Sequence, residues 1–206
     1  MTGLKGKFIV LDGGEGCGKS TQAALLGKAL EAAGITALLV RDPGSTRVGE
    51  MIRAILLDPE NPEISMRCEM LLYMAARAQM VRELIAPALD AGKCVISDRF
   101  VSSTLAYQLG GDGMTADEIR QVAKVATAGR SPDLTIILDM PLENSERRIV
   151  RQRDRIEQRP VEYHRRVREN YLAQAAADRQ HVHVIPADRD RQTVHADVMK
   201  LISLLK

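Results

Sequence analysis

Residues 8–20 read Phe8-Ile9-Val10-Leu11-Asp12-Gly13-Gly14-Glu15-Gly16-Cys17-Gly18-Lys19-Ser20. An apolar run of strand length breaks into a glycine-rich turn, and a helical pattern begins at Lys19. From Gly13 to Ser20 the spacing is Gly, four residues, Gly-Lys-Ser, the phosphate-binding loop pattern. Glycines let the backbone fold tightly enough to aim successive N–H groups at phosphate oxygens. The helix N-terminus adds the positive end of its dipole. On this reading Gly13, Gly14, Glu15, Gly16, Cys17, Gly18, Lys19, Ser20 and Thr21 cradle a nucleoside triphosphate. Lys19 bridges the β- and γ-phosphates, and the Ser20 hydroxyl ligates Mg²⁺. The bland alternative is a glycine turn without a ligand, but a strand and a helix in register on either side argue against it. The loop alone does not separate a kinase from a GTPase or a motor. A GTPase would need a guanine-reading Asn-Lys-x-Asp segment, and the sequence has none.

Outward from the loop, apolar strand-length runs alternate with longer amphipathic stretches. Strands are expected at Phe8–Asp12, Thr36–Val40, Cys94–Ser97, Leu134–Asp139 and His181–Ile185. Their continuous rather than alternating apolar character fits parallel strands covered on both faces. Helices are expected from Lys19 to Ala33, with Gly34 as a stop, through Val48–Leu56, and from about Glu69 to Leu89. Thr115 with Glu118 forms a capping box ahead of Ile119 and Val122. Pro160 is placed in the first turn of a further helix, and a last one covers Val194–Leu205. Alternating β and α units predict one three-layer α/β domain over residues 1–206: a five-stranded parallel sheet with helices on both faces.

Bulk composition fits this. The chain has 206 residues, 45% apolar and 27% charged, with a formal net charge of +2, which suits a single globular core. So mild a basic surplus does not predict a nucleic-acid partner. No stretch resembles a signal peptide or membrane span. Three cysteines at unpatterned positions, Cys17, Cys68 and Cys94, read as reduced thiols, so a cytoplasmic location is expected. Cys17, close to a helix N-terminus, is expected to have a lowered pKa and some sensitivity to oxidation.

Three further constellations mark where a second substrate would lie. Asp98-Arg99-Phe100 directly follows a strand, at the end where doubly wound sheets bind ligands. Asp98 is placed to hold Mg²⁺ through water, and Arg99 to clamp a phosphate. A helix-capping Asp beside a surface Arg is the bland alternative. Arg41-Asp42-Pro43-Gly44-Ser45-Thr46 follows another strand, with Arg53 behind it. A Pro-Gly turn there brings backbone close to an acceptor, or is an ordinary turn. Tyr73 and Arg77 lie one turn apart on a helix face, where they stack and read a base, or else form core with a snorkelling arginine.

Together these segments resemble the bacterial thymidylate kinases along essentially the whole chain. The resemblance rests on the stretch from Phe8 to Gln22, on Arg41–Thr46, on Glu69–Gln79 and, most closely, on Val95–Gln108. Pro132–Asp139 and Asp154–Glu157 complete the order. It implies a homodimeric kinase that moves the γ-phosphoryl group of MgATP to dTMP. By matching position, Glu15 would contact the acceptor 3′-hydroxyl, Tyr73 would stack on thymine and Arg77 would donate to its O4. Thr104 and Gln108 would lie near the base edge, beside Asp42 and Pro43 of the substrate turn. Arg53 and Arg99 would hold the acceptor phosphate, and Tyr107 would exclude a 2′-hydroxyl.

Arg147, Arg148, Arg151, Arg153, Arg155 and Arg159 crowd one segment, a short arginine-rich lid at about 147–159. A solvated charge run or a nucleic-acid patch are the other readings. The phosphate loop carries no arginine of its own, so a lid arginine would neutralise the transferring phosphoryl group. Arg153 and Arg155 are the expected catalytic pair, with Lys19 and Arg99. The sequence departs from the family in a shortened lid, in Ala76 for a common Asp, in Asp42 for Glu and in Leu109 for Gly. A kinase of another nucleoside monophosphate is the alternative function; a P-loop switch or an inactive nucleotide-binding partner is the rival from another class.

Overall fold

A computed structural model describes residues 2–150 and 152–205. Five parallel strands run β1 Phe8–Gly13, β2 Ala37–Arg41, β3 Cys94–Asp98, β4 Leu134–Asp139 and β5 Val182–Pro186. Their spatial order is β2-β3-β1-β4-β5. Each expected strand exists, displaced by at most a residue or so at its ends. The central strands β1 and β3 are buried at every position, which is why their sequences do not alternate. The edge strands β2 and β5 are only partly covered.

Helices flank the sheet: α1 Lys19–Ala32, α2 Arg47–Leu57, α3 Met66–Met80, α4 Ala86–Asp90, α5 Val101–Tyr107, α6 Ala116–Ala126, α7 Leu142–Glu146, α8 Val161–Ala177 and α9 Arg191–Ile202. A π-helical turn at Val81–Ile85 joins α3 to α4, so the long helix expected beyond Glu69 is three consecutive pieces. The capping box forms as expected, with Thr115 and Glu118 each bonding the other's backbone. Pro160 does not sit inside the first turn of α8; it occupies the cap position before Val161. Helix α9 starts earlier than expected because the Asp190 carboxylate accepts from Gln192 N and Thr193 N.

On one face, α1 and α9 pack Leu26, Leu30, Val194 and Val198 against Ile9, Leu11, Ile96 and Ile136. On the other, Met80, Ile85 and Phe100 close over Phe8, Val10 and Val95. No helix among the described residues is long and apolar enough to cross a membrane. All three cysteines are free. The C-terminal ends of β1, β2, β3 and β4 all deliver their following loops to one rim of the sheet.

Candidate active site

The phosphate loop leaves β1 at Gly13, where φ is 133°, and a Cβ there would lie 2.4 Å from Leu138 O. At Gly16, φ is 69° and a Cβ would lie 2.6 Å from Ser145 O. Only glycine satisfies both the left-handed backbone and these close approaches. Helix α1 starts directly behind the loop at Lys19, so its unpaired N–H groups face the space the loop encloses. Lys19 Nζ donates to Gly14 O at 2.6 Å. Cys17 is buried, and its thiol donates to Gly14 O at 2.9 Å. Burial pushes the Cys17 pKa up, with Lys19 and Arg99 only partly opposing. The expected lowered pKa is therefore overturned, because desolvation outweighs the helix end.

Beside the loop lies an open cleft lined by Gly16, Gly18, Lys19, Ser20, Thr21, Arg41, Asp98 and Arg148. The Ser20 hydroxyl donates to Asp98 Oδ2 at 2.5 Å. Two hard oxygen donors therefore converge where phosphates would enter. Among the described residues no group of three or more His, Cys, Asp or Glu side chains forms a cage. A sparse oxygen set of this kind suits Mg²⁺, which keeps its waters and takes its other ligands from phosphates.

A second cavity abuts the cleft. Its wall contains every residue assigned to the acceptor from sequence: Glu15, Asp42, Pro43, Arg53, Tyr73, Arg77, Arg99, Thr104, Tyr107 and Gln108. Leu57, Ser103, Asp154 and Ile156 also line it; none of them was given a site role from sequence, although all but Leu57 lie in stretches that carry the resemblance. Glu15, Asp42, Arg53 and Arg99 border both spaces. Arg99 sits at this junction with φ at 74°. The cap position of α5 is Phe100, without a side-chain cap hydrogen bond, so Asp98 does not cap that helix.

Arg77 is 1% exposed and donates through Nε to Asp42 Oδ2 at 2.5 Å. Its Nη2 reaches Phe100 O and Thr104 Oγ1, each at 3.1 Å. Among the described residues Nη1 meets just the Met74 thioether, at 3.0 Å, a weak acceptor. Asp42 Oδ1 is buried without a partner among the described residues, and burial raises the Asp42 pKa against the pull of Arg77. Arg53 donates to Pro43 O at 3.1 Å, which ties α2 to the turn after β2.

The arginine-rich segment separates by placement. Arg155 is buried, donating to Glu69 Oε2 at 2.6 Å and to Leu56 O at 2.8 Å. It faces α3 rather than the phosphate cleft. Arg153 lines a third cavity, walled by α7, α8 and the phosphate-loop residues Gly13, Gly14, Glu15 and Cys17. Arg159 also donates to Glu69, at 2.7 Å, and to the Tyr163 hydroxyl at 2.6 Å. Gln108 completes the set, with Nε2 2.8 Å from Glu69 Oε1. Arg148 is the described lid arginine that borders the phosphate cleft. Arg147 is exposed, and Arg151 lies outside the described residues. Of the pair expected from sequence, Arg153 shares a cavity with the phosphate loop, whereas Arg155 is held by Glu69 and Leu56. A partner for Arg155 some 86 residues away leaves no local signal.

The fold, with its phosphate loop and the two abutting spaces beside it, is that of a P-loop nucleotide phosphotransferase. The family model described as thymidylate kinase matches residues 11–198. Thymidylate kinase of Pelotomaculum thermopropionicum is 48% identical over 200 residues, covering 96% of this chain and 93% of that protein. That of Neisseria meningitidis is 43% identical, covering 97% of each. The crystal structure of thymidylate kinase from Ehrlichia chaffeensis superposes with a TM-score of 0.80 at 30% identity, over 97% of this chain and all of that one. The chain belongs to the thymidylate kinase family.

Proposed function

We propose that this chain transfers the γ-phosphoryl group of ATP to the 5′-phosphate of dTMP, releasing ADP and dTDP. The observation that carries the reading is the shared wall: Arg99, Arg53, Glu15 and Asp42 border both the phosphate cleft and the second cavity. Two phosphate chains laid end to end would meet at Arg99. The loop amides and Lys19 hold the donor, and Arg53 and Arg99 hold the acceptor. No general base is required, because a phosphate monoester already carries most of its second charge near neutral pH, its second pKa being ~6. Catalysis then rests on alignment and on fixed positive charge around the transferring group. Ser20 and Asp98 would hold Mg²⁺, which supplies charge neutralisation between the donor phosphates.

Base choice follows from Arg77. With Nε and Nη2 held by Asp42, Phe100 and Thr104, Nη1 would donate to thymine O4, an acceptor that cytosine replaces with an amino donor. Tyr73 would stack on the base, and Tyr107 would crowd C2′. The test is kcat/KM for dTMP, dUMP, CMP, GMP and AMP measured side by side. A preference for thymine and then uracil is expected. Preference for any other base would remove the role given to Arg77 and favour a kinase of another nucleotide.

The chain is further proposed to work as one domain in the cytoplasm and as a homodimer. Met51 and Ile55 on α2, Leu71 on α3 and Val125 on α6 are exposed apolar side chains, and α2 packs on α3. A sedimentation mass of one chain at micromolar concentration would contradict the dimer.

A further inference from the structure

Asp12 lies at the end of β1, one residue before the phosphate loop, and is fully buried. A carboxylate in such a place is costly unless surrounded by donors, and this one is. Oδ1 accepts from Gly13 N at 2.9 Å, from Ser103 Oγ at 2.7 Å and from Tyr171 OH at 2.6 Å. Oδ2 accepts from Ser102 Oγ at 2.5 Å. The donors come from the strand itself, from α5 and from α8. The direct contact to Arg99 Nη1 is longer, 3.3 Å. Arg99 Nη1 instead approaches the same two hydroxyls more closely: Ser103 Oγ at 3.0 Å and Tyr171 OH at 3.1 Å.

A hydroxyl has one proton. The two hydroxyls, of Ser103 and Tyr171, also lie 2.9 Å from each other; where each spends its proton on Asp12, both turn lone pairs toward Arg99. Asp12 therefore fixes the direction in which the two hydroxyls accept. Asp12 and Glu15 differ as partners of Arg99. The side chain of Asp12 is 0% exposed, whereas that of Glu15, which accepts from Arg99 Nη2, is 26% exposed and belongs to the loop. Glu15 can be exchanged for an incoming phosphate; Asp12 cannot leave.

We propose that Asp12 is a positioning residue that acts through Tyr171 and Ser103 to hold the Arg99 guanidinium in the orientation that receives the acceptor phosphate. This rests on the proposed function for the identity of the acceptor. It adds a device: one guanidinium edge is anchored by the relayed hydrogen bonds together with Gly13 O, at 3.0 Å, and the other is left for ligand exchange. Tyr171, on the helix that follows the lid, links that helix to the phosphate clamp.

The experiment measures dissociation constants for dTMP and for thymidine by calorimetry in wild type, Tyr171→Phe and Ser103→Ala. Their ratio isolates the phosphate contact, since the base and sugar are common to both ligands. Loss of one relay is expected to shrink the dTMP-over-thymidine preference by roughly tenfold, as for a charge-assisted contact, and in Tyr171→Phe, which lies off the nucleoside cavity wall, thymidine binding stays within about twofold of wild type. In an Arg99→Lys background, Tyr171→Phe is expected to change the preference by less than about twofold, because the pair acts as a unit. Equal weakening of dTMP and thymidine would mean a merely structural role and overturn the proposal. So would an unchanged preference in Tyr171→Phe, or full additivity with Arg99→Lys. Wild-type protein that shows the phosphate preference but makes no dTDP would strike the proposed reaction and leave this inference standing. Asp12→Asn, which replaces one acceptor oxygen by a donor, is expected to reduce the preference at least as much as Tyr171→Phe, and a wild-type ratio in that variant would also overturn it.

Discussion

Arg155 and Glu69 form a buried ion pair, Nη2 to Oε2 at 2.6 Å, in which the two side chains are 7% and 0% exposed. The pair fastens the base of the lid to α3 one turn before Tyr73, the residue proposed to stack on thymine. Removing the cation leaves Glu69 buried with, among the described residues, Arg159 and Gln108. Arg155→Met is therefore expected to cost about 3 kcal/mol of stability, the lower end for breaking a buried pair. Differential scanning calorimetry should show Tm lower by roughly 6 °C or more. Arg148→Ala, by contrast, should leave Tm nearly unchanged and lower kcat by roughly 10²–10³-fold, the scale of losing one oriented donor at the reacting group. The reverse pattern would return the catalytic role to Arg155.

Arg77 and Asp42 allow a separation of stability from recognition. Arg77→Met strands the Asp42 carboxylate and is expected to destabilise the fold by about 3 kcal/mol or more. The double variant Arg77→Met with Asp42→Leu removes both charges, so most of that stability should return. Catalytic efficiency with dTMP should not return, because no donor then faces O4. Urea unfolding and steady-state rates on the same samples read the two effects. Recovery of both together would mean that Arg77 matters only for packing.

Tyr107 is 6% exposed and lies with its ring centroid 5.2 Å from the Arg99 guanidinium carbon. Its hydroxyl donates to Glu15 Oε1 at 3.1 Å. If the ring body excludes a 2′-hydroxyl, Tyr107→Phe keeps the preference for dUMP over UMP, whereas Tyr107→Ala relaxes it by roughly tenfold or more, the scale of a steric contact in a pocket. An unaltered ratio of kcat/KM in the alanine variant would remove this role.

His164 carries a pH dependence. Its Nε2 is buried without a partner among the described residues, and burial lowers its pKa from the ordinary 6.5. The folded state thus binds fewer protons than the unfolded chain just below that pH, so stability rises with pH there. The contribution is fully present above about pH 6.5 and is lost as pH falls through the lower folded-state value. The wild-type Tm should drop between pH 7.5 and pH 5.5, and by less in His164→Phe. The remainder of the drop includes His195, whose pKa burial also lowers. An identical drop in both proteins would refute this assignment.

Much of the fold was legible because β1 and β3 are buried at every position, which forces unbroken apolar runs. The loop was legible because Gly13 and Gly16 each face backbone closer than a Cβ permits. Helix α5 was not read: Val101–Tyr107 is short, and its Ser102 and Ser103 hydroxyls answer to Asp12, about 90 residues away. The acceptor wall was named by resemblance, motif by motif, and the cavity gathers those same residues. Among the lid arginines nothing local distinguishes Arg148 from Arg155. Their difference lies in Glu69 and Leu56, which only the tertiary structure supplies. The pKa direction of Cys17 was likewise beyond the sequence, since it depends on how deeply the loop packs against α7.

The central claim is that the phosphoryl group passes to an acceptor nucleotide held beside the loop and not to water. Phosphorus NMR of the wild-type protein with ATP, Mg²⁺ and dTMP tests this directly by following each product. The account predicts dTDP and ADP appearing together in equal amounts with little inorganic phosphate. ADP and inorganic phosphate growing without dTDP would contradict it.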